Sequence, residues 1–120
     1  LDRRLKKVLV KRVLDEVLEQ CWRMDEVGLD HGELSYAPKH IIVDRKNMPI
    51  IVDFESASVN RRPSNVTSIS QYVFFSGETA GRVGEKLGEK DVNRIVETLR
   101  RYKHDRNREN FEAILRVCGL

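Results

Sequence analysis

Apolar residues recur at three- and four-residue intervals through the opening stretch of the chain. Val10, Val13, Leu14, Val17, Leu18 and Cys21 form one stripe, extended by Trp22 and Met24. The spacing predicts a long helix over Arg3–Val27, with Gly28 as its stop. The period then changes. Ile41–Asp44 and Pro49–Asp53 are short runs rich in Ile and Val, separated by Arg45-Lys46-Asn47-Met48. That is a hairpin pattern, and Pro49 suits the first position of a strand, where its missing N–H does least harm.

Helical spacing returns after the hairpin. It predicts a helix over Val66–Phe75, with Val66, Ile69, Tyr72, Val73 and Phe74 apolar and Gly77 as its stop. A short, loose helix over Thr79–Leu87 is weakened by Gly81 and Gly84. Glu89–Lys103 carries a clear stripe of Val92, Ile95, Val96, Leu99 and Tyr102. The last helix runs to Cys118, with Asp105 or Asn107 as its cap and Phe111, Ile114, Leu115 and Cys118 inward. The prediction is an α+β chain, mostly helical with one small β-hairpin, forming a single domain over residues 1–120.

Charge adds little to the choice of partner. The chain has 120 residues, of which 34% are charged with both signs, and a net charge of +3. Such a balance mostly solvates a surface. The basic run Arg3, Arg4, Lys6 and Lys7 opposes the helix dipole at its apparent start and reads as a solvated face. Glu89 and Asp91 in the first turn of the Glu89–Lys103 helix, and Arg100, Arg101 and Lys103 in its last, agree with the dipole. The basic cluster over Arg94–Arg108 is broken by Asp105 and has only Tyr102 as an aromatic, so nucleic acid is not an expected partner. No apolar run is long enough to cross a membrane, and no signal peptide is read at the start. Cys21 and Cys118 have no metal spacing and are expected to be thiols in a reducing cytoplasm.

The candidate chemistry flanks the hairpin. His31-Gly32-Glu33-Leu34 lies before the first strand and Asp53-Phe54-Glu55 follows the second, so the hairpin sets two polar groups side by side. Taken by their residue types alone, His31 is also compatible with a satisfied core histidine. Glu33, Asp53 and Glu55 are likewise compatible with solvated loop carboxylates.

The arrangement resembles the catalytic half of a protein-kinase-like phosphotransferase, in which a histidine-containing loop leads through a small hairpin to a metal-binding Asp-Phe-Gly. The His-Gly start is more similar to atypical kinases: the RIO-type, aminoglycoside, choline and lipopolysaccharide kinases. HGEL with VDFE most resembles a family of small predicted serine/threonine kinases from archaea. The resemblance runs from about Leu5 to about Phe75.

The resemblance implies the C-terminal lobe of a protein-kinase-like fold, with the hairpin carrying the catalytic loop. It implies ATP-dependent phosphotransfer to a protein serine or threonine hydroxyl, with Mg2+ or Mn2+. Asp53 would hold the metal, with Glu55 adding a second carboxylate in place of glycine, and Phe54 would pack inward. Glu33 stands where the family has an aspartate that accepts the proton of the attacking hydroxyl. His31 would pack under the loop and bond backbone near the metal motif. The family asparagine falls on Pro38, or on His40 if the loop is two residues longer; His40 would then touch metal or a phosphate oxygen. Lys39 would supply a positive charge near the phosphates. Ser56–Asn65 occupies the place of an activation segment. There Ser64 is a phosphorylation site or, with Asn65, a helix cap, and Arg61 and Arg62 face an acidic partner or solvent.

A nucleotide lobe with a glycine-rich loop is expected upstream on the same polypeptide. Gly81-Arg82-Val83-Gly84 follows no strand and is not that loop, and residue 1 is Leu rather than Met. These 120 residues alone are therefore expected to be inactive. The same motifs also fit a kinase acting on a small-molecule hydroxyl, or a catalytically degenerate kinase fold used as a binding module.

Overall fold

The computed structural model describes residues 7–35, 41–75, 78–88 and 90–120. Among these, the order is α1 (Lys7–Val27), β1 (Ile41–Val43), β2 (Pro49–Ile51), α2 (Asn65–Phe74), α3 (Glu78–Leu87), α4 (Val92–His104) and α5 (Arg108–Val117). The chain is α+β, mostly helical, with a two-stranded antiparallel sheet. Arg3, Arg4, Lys6, Gly77 and Glu89, to which the sequence assigned helix ends, lie outside the described residues, as do Pro38, Lys39 and His40.

The stripe of α1 is buried as its spacing predicts: Val10, Val13, Leu14, Val17, Leu18, Cys21 and Trp22 all face the core. Gly28 ends the helix at φ +83, with Gly28 N–H bonded to Asp25 O and Leu29 N–H to Met24 O, a Schellman closure. α1 packs on α2, α3 and β2. Val66, Ile69, Val73 and Phe74 of α2 fill the centre, and Val83 and Leu87 of α3 close one side. Gly81 and Gly84 do not loosen α3, which runs unbroken for ten residues.

α4 and α5 pack on each other and close the other side through Ile95, Leu99, Tyr102, Phe111 and Ile114. Asp91 lies outside α4 as its cap and not within its first turn, accepting from Asn93 and Arg94 N–H. Asn107, not Asp105, caps α5. The Trp22 and Phe111 rings stack 5.4 Å apart, and Arg108 lies over Phe111 while making a two-pronged ion pair with Glu19. Cys21 and Cys118 are both buried free thiols.

The hairpin is shorter than its sequence suggests. Its register pairs Ile41 with Ile51, Ile42 with Ile50 and Val43 with Pro49, so Asp44, Val52 and Asp53 lie outside the ladder. Asp44 Oδ1 accepts from Lys46 and Met48 N–H, and Asn47 takes φ +59, which together turn the chain. Ile41 and Ile51 face the core. Ile42 and Ile50 make a cross-strand pair on the opposite face and stay 55% and 45% exposed. Gln20 Nε2–H donates to Pro49 O at 3.0 Å and fastens the hairpin to α1. Among the described residues, no helix is long and apolar enough to cross a membrane.

Candidate functional site

The site is built on one buried imidazole. His31 is fully enclosed, and its Nε2 lies 2.9 Å from Val52 O. A carbonyl only accepts, so Nε2 carries the proton. Nδ1 is then the acceptor, and Glu33 N–H donates to it at 3.3 Å. The ring thus ties together two backbones: that of Glu33, and that of Val52, directly before Asp53. Gly32, between His31 and Glu33, takes φ +95, a conformation that glycine adopts without strain. Leu34 is buried and pins the loop from its far side.

Asp53 takes φ +63, outside the regions a side chain prefers. Asp tolerates this left-handed conformation better than most residues, but it is sparsely populated, and such backbones gather at functional sites. The turn it creates carries the chain out of the hairpin and leaves Asp53 and Glu55 exposed. Phe54 does not pack inward as expected. It remains 42% exposed and sets an edge against the His31 ring at 4.9 Å between centroids.

The segment after Glu55 is bound down by Asp30, the residue before His31. Asp30 and Ser58 exchange backbone hydrogen bonds at 3.0 Å. Asp30 Oδ1 accepts from Ser64 N–H, and Oδ2 accepts from Arg61 Nε–H at 2.6 Å. Arg61 also donates to Ser56 O, and Arg62 to Lys103 O. Both arginines therefore have partners within the chain. Ser64 stands at the cap position of α2, yet its side chain caps nothing, and Asn65 lies inside the first turn. The carboxyl groups of Asp25 and Asp30 bond the N–H groups there instead.

Asp25, Asp30, Asn65 and Tyr102 belong to the site although sequence spacing assigns none of them a part in it: it places Tyr102 in a stripe and Asn65 at a helix cap. Asp25 accepts from Asn65 N–H (2.9 Å), Asn65 Nδ2–H (2.8 Å), Val66 N–H (3.4 Å) and the Tyr102 hydroxyl (2.6 Å). Asn65 Oδ1 accepts from His31 N–H at 2.7 Å. One signal was available: Asp25 falls four residues after Cys21, in line with the α1 stripe, and a carboxyl group on an apolar face needs donors from elsewhere. Burial, followed by the hydrogen bond to Asp25, raises the hydroxyl pKa of Tyr102.

Of the residues predicted from the sequence, the structure brings His31, the Glu33 backbone, Phe54 and the approach to Asp53 together. Lys39 and His40 lie outside the described residues. Among the described residues, no three His, Cys, Asp or Glu side chains gather as a ready metal cage. No family model matches the chain. Over 102 residues it is 26% identical to the Uncharacterized protein MJ1211 of Methanocaldococcus jannaschii, an alignment covering 83% of this chain and 86% of that protein.

Proposed function

We propose that this chain is the C-terminal lobe of an atypical, ATP-dependent serine/threonine protein kinase. The observation that carries the reading is the double tie of His31. One ring holds the backbone of Glu33 and the backbone that enters Asp53, so a hydroxyl-facing acid and a metal-facing acid sit on segments of fixed relative position. Phosphoryl transfer asks chiefly for positioning and charge stabilisation, which such a tie supplies. The left-handed backbone at Asp53 adds to it, since the turn there leaves two acidic residues, Asp53 and Glu55, exposed where the chain leaves the hairpin.

Magnesium on a nucleotide needs only one or two protein carboxylates, with phosphate and water completing its shell. Asp53 and Glu55 fit that requirement; a three-ligand cage is not needed. When bound, Mg2+ or Mn2+ neutralises charge on the triphosphate. Glu33 receives or orients the proton of the acceptor hydroxyl. Lys39 and His40 are proposed to face the phosphates. His31 is a positioning residue, since it is enclosed and reaches no substrate.

The outer face of the hairpin supports the expectation of a further lobe. Ile42, Ile50, Met48 and Phe54 are exposed, and a groove of about 530 Å³ runs between β2 and α1, lined by Gln20, Met24, Met48, Pro49, Ile50 and Phe54. An apolar face of this kind is suited to the base of ATP and to the nucleotide lobe of the same polypeptide.

The test is transfer of labelled γ-phosphate from ATP to a generic protein acceptor by the polypeptide carrying both lobes, with Asp53→Ala as control. Transfer that vanishes in Asp53→Ala is the expected result. The 120 residues alone should transfer nothing; turnover by them would refute the incomplete-lobe reading. Transfer confined to small hydroxyl compounds would move the assignment to a small-molecule kinase. Absence of transfer and of metal-dependent ATP binding would make the fold a binding module.

A further inference from the structure

Asp25 stands apart from the residues that would touch ATP, metal or acceptor, yet it is the most heavily bonded side chain near the site. Its carboxyl group is buried and takes four donors from two helices. Two of these are the N–H groups at the start of α2, which it caps from a distance. The other two do more than cap.

The Asn65 amide is turned by its acceptors. One Nδ2 proton goes to Asp25 Oδ1 at 2.8 Å and the other to Leu29 O at 2.7 Å, which leaves Oδ1 facing His31 N–H at 2.7 Å. An amide flipped the other way would set a donor against the His31 N–H. Tyr102 holds the second oxygen of Asp25 at 2.6 Å, and Arg106 Nη1–H holds the Asp25 backbone carbonyl at 2.9 Å. The bonds continue from His31 Nε2 to Val52 O. Hydrogen bonds joined through the His31 side chain itself therefore connect α4 to the residue that precedes Asp53.

We propose that Asp25, held by Tyr102, is a positioning residue of the hairpin site. It orients the Asn65 amide and, through it, the His31 backbone, whose ring fixes the backbone at Val52. What the positioned site does rests on the phosphotransfer reading; the relay itself stands on the hydrogen bonds. The pair α4–α5 is then part of the site's frame.

Asp25→Asn and Tyr102→Phe in the full chain test it, by ¹⁵N spectra of the His31 ring and amide exchange. The wild type should show one ring tautomer, with the proton on Nε2. Loss of a buried bond to a carboxyl group is expected to speed exchange of His31 N–H by about tenfold relative to Phe111 N–H in α5, and to mix the tautomers. Tyr102→Phe keeps the ring's packing and decides the matter if Asp25→Asn does not fold. If, in a folded variant, His31 responds no more than Phe111, then Asp25 is a helix cap alone and the proposal falls. Mn2+ broadening at Phe54, followed on the same samples, should weaken in both variants. Its absence from the wild type would sink the phosphotransfer reading, while the His31 signals would still decide the relay.

Discussion

The Arg61 guanidinium lies across the backbone of Gly32. A Cβ at position 32 would run into Arg61 Nη2 and the carbonyl of Ser56. The loop before the hairpin and the segment after it are thus in direct contact. That contact requires both a glycine at φ +95 and an arginine drawn in by Asp30. Gly32→Ala should therefore destabilise the protein in two separable ways. The positive φ alone is expected to account for about 1–2 kcal/mol, and the collision adds to it. Denaturant midpoints of Gly32→Ala, Arg61→Ala and the double variant measure the split. The double variant should be more stable than the sum of the two singles. Simple additivity would mean that Arg61 yields freely and the contact carries no constraint.

The exposed face of the hairpin and the buried face of α2 should respond to substitution by very different amounts. Ile42 and Ile50 pair on the exposed face, so Ile42→Lys with Ile50→Lys is expected to lose under about 1 kcal/mol. Ile69→Ala, at a fully buried position of α2, should lose about 2–5 kcal/mol. Urea unfolding of the variants checks both. A large loss from the hairpin pair would mean that this face is covered in solution.

The thiols of Cys21 and Cys118 should be inert in the folded protein. Burial, with Asp25 nearby, pushes the Cys21 thiol well up, and burial pushes that of Cys118 up to about 12. The thiolate is the reactive form. Iodoacetamide at about pH 8 should label neither cysteine in the native protein and both in guanidinium. Labelling of Cys118 without denaturant would show local opening at the end of α5.

The Glu19–Arg108 pair should shape the acid limb of stability. The hydrogen bond from Arg108 holds the Glu19 carboxyl below its ordinary value of 4.5. A lowered folded-state pKa contributes stability that is present above that value and lost as pH falls through the folded pKa. Arg108 is 45% exposed, so screening keeps the contribution below about 1 kcal/mol. Glu19→Gln should lower stability at neutral pH and match the wild type at about pH 2. A constant gap across that range would assign the effect to packing of Arg108 on Phe111 instead of to charge.

What could be read from the chain followed the range of each interaction. The stripes of α1, α4 and α5 are local patterns, and most of their residues are buried as spacing implies, although Val92 at the start of α4 is exposed and Val96 and Leu115 are half-buried. The hairpin was legible because strand, turn and strand are contiguous, though not the point at which Val52 and Asp53 leave the ladder. Asp91 fell within the predicted first turn of α4 and not at its cap, whereas the cap of α5, Asn107, was visible as a candidate. The cap of α2 was not, because its acceptors come from Asp25 and Asp30 while the neighbouring Ser64 looked sufficient. Phe54 was misplaced for a related reason: sequence shows that a ring is apolar but not that it will rest its edge on the buried His31 ring. At the site, the residue types of His31 and Asp53 drew attention. The Asn65 bond to His31 spans 34 positions and left no local trace.

The remote capping of α2 also bears on how the chain acquires its structure. The first N–H of α2 ends on a carboxyl group 40 positions upstream, and the hydroxyl that steadies that group comes from 77 positions further along the chain. A nascent α2 emerging before α4 therefore finds its capping carboxyl group still without the Tyr102 donor, and no early fragment holds the complete set of partners. Contacts of such long sequence separation slow the search. The central helix should be among the last elements to gain protection during refolding, although it lies in the middle of both the sequence and the core.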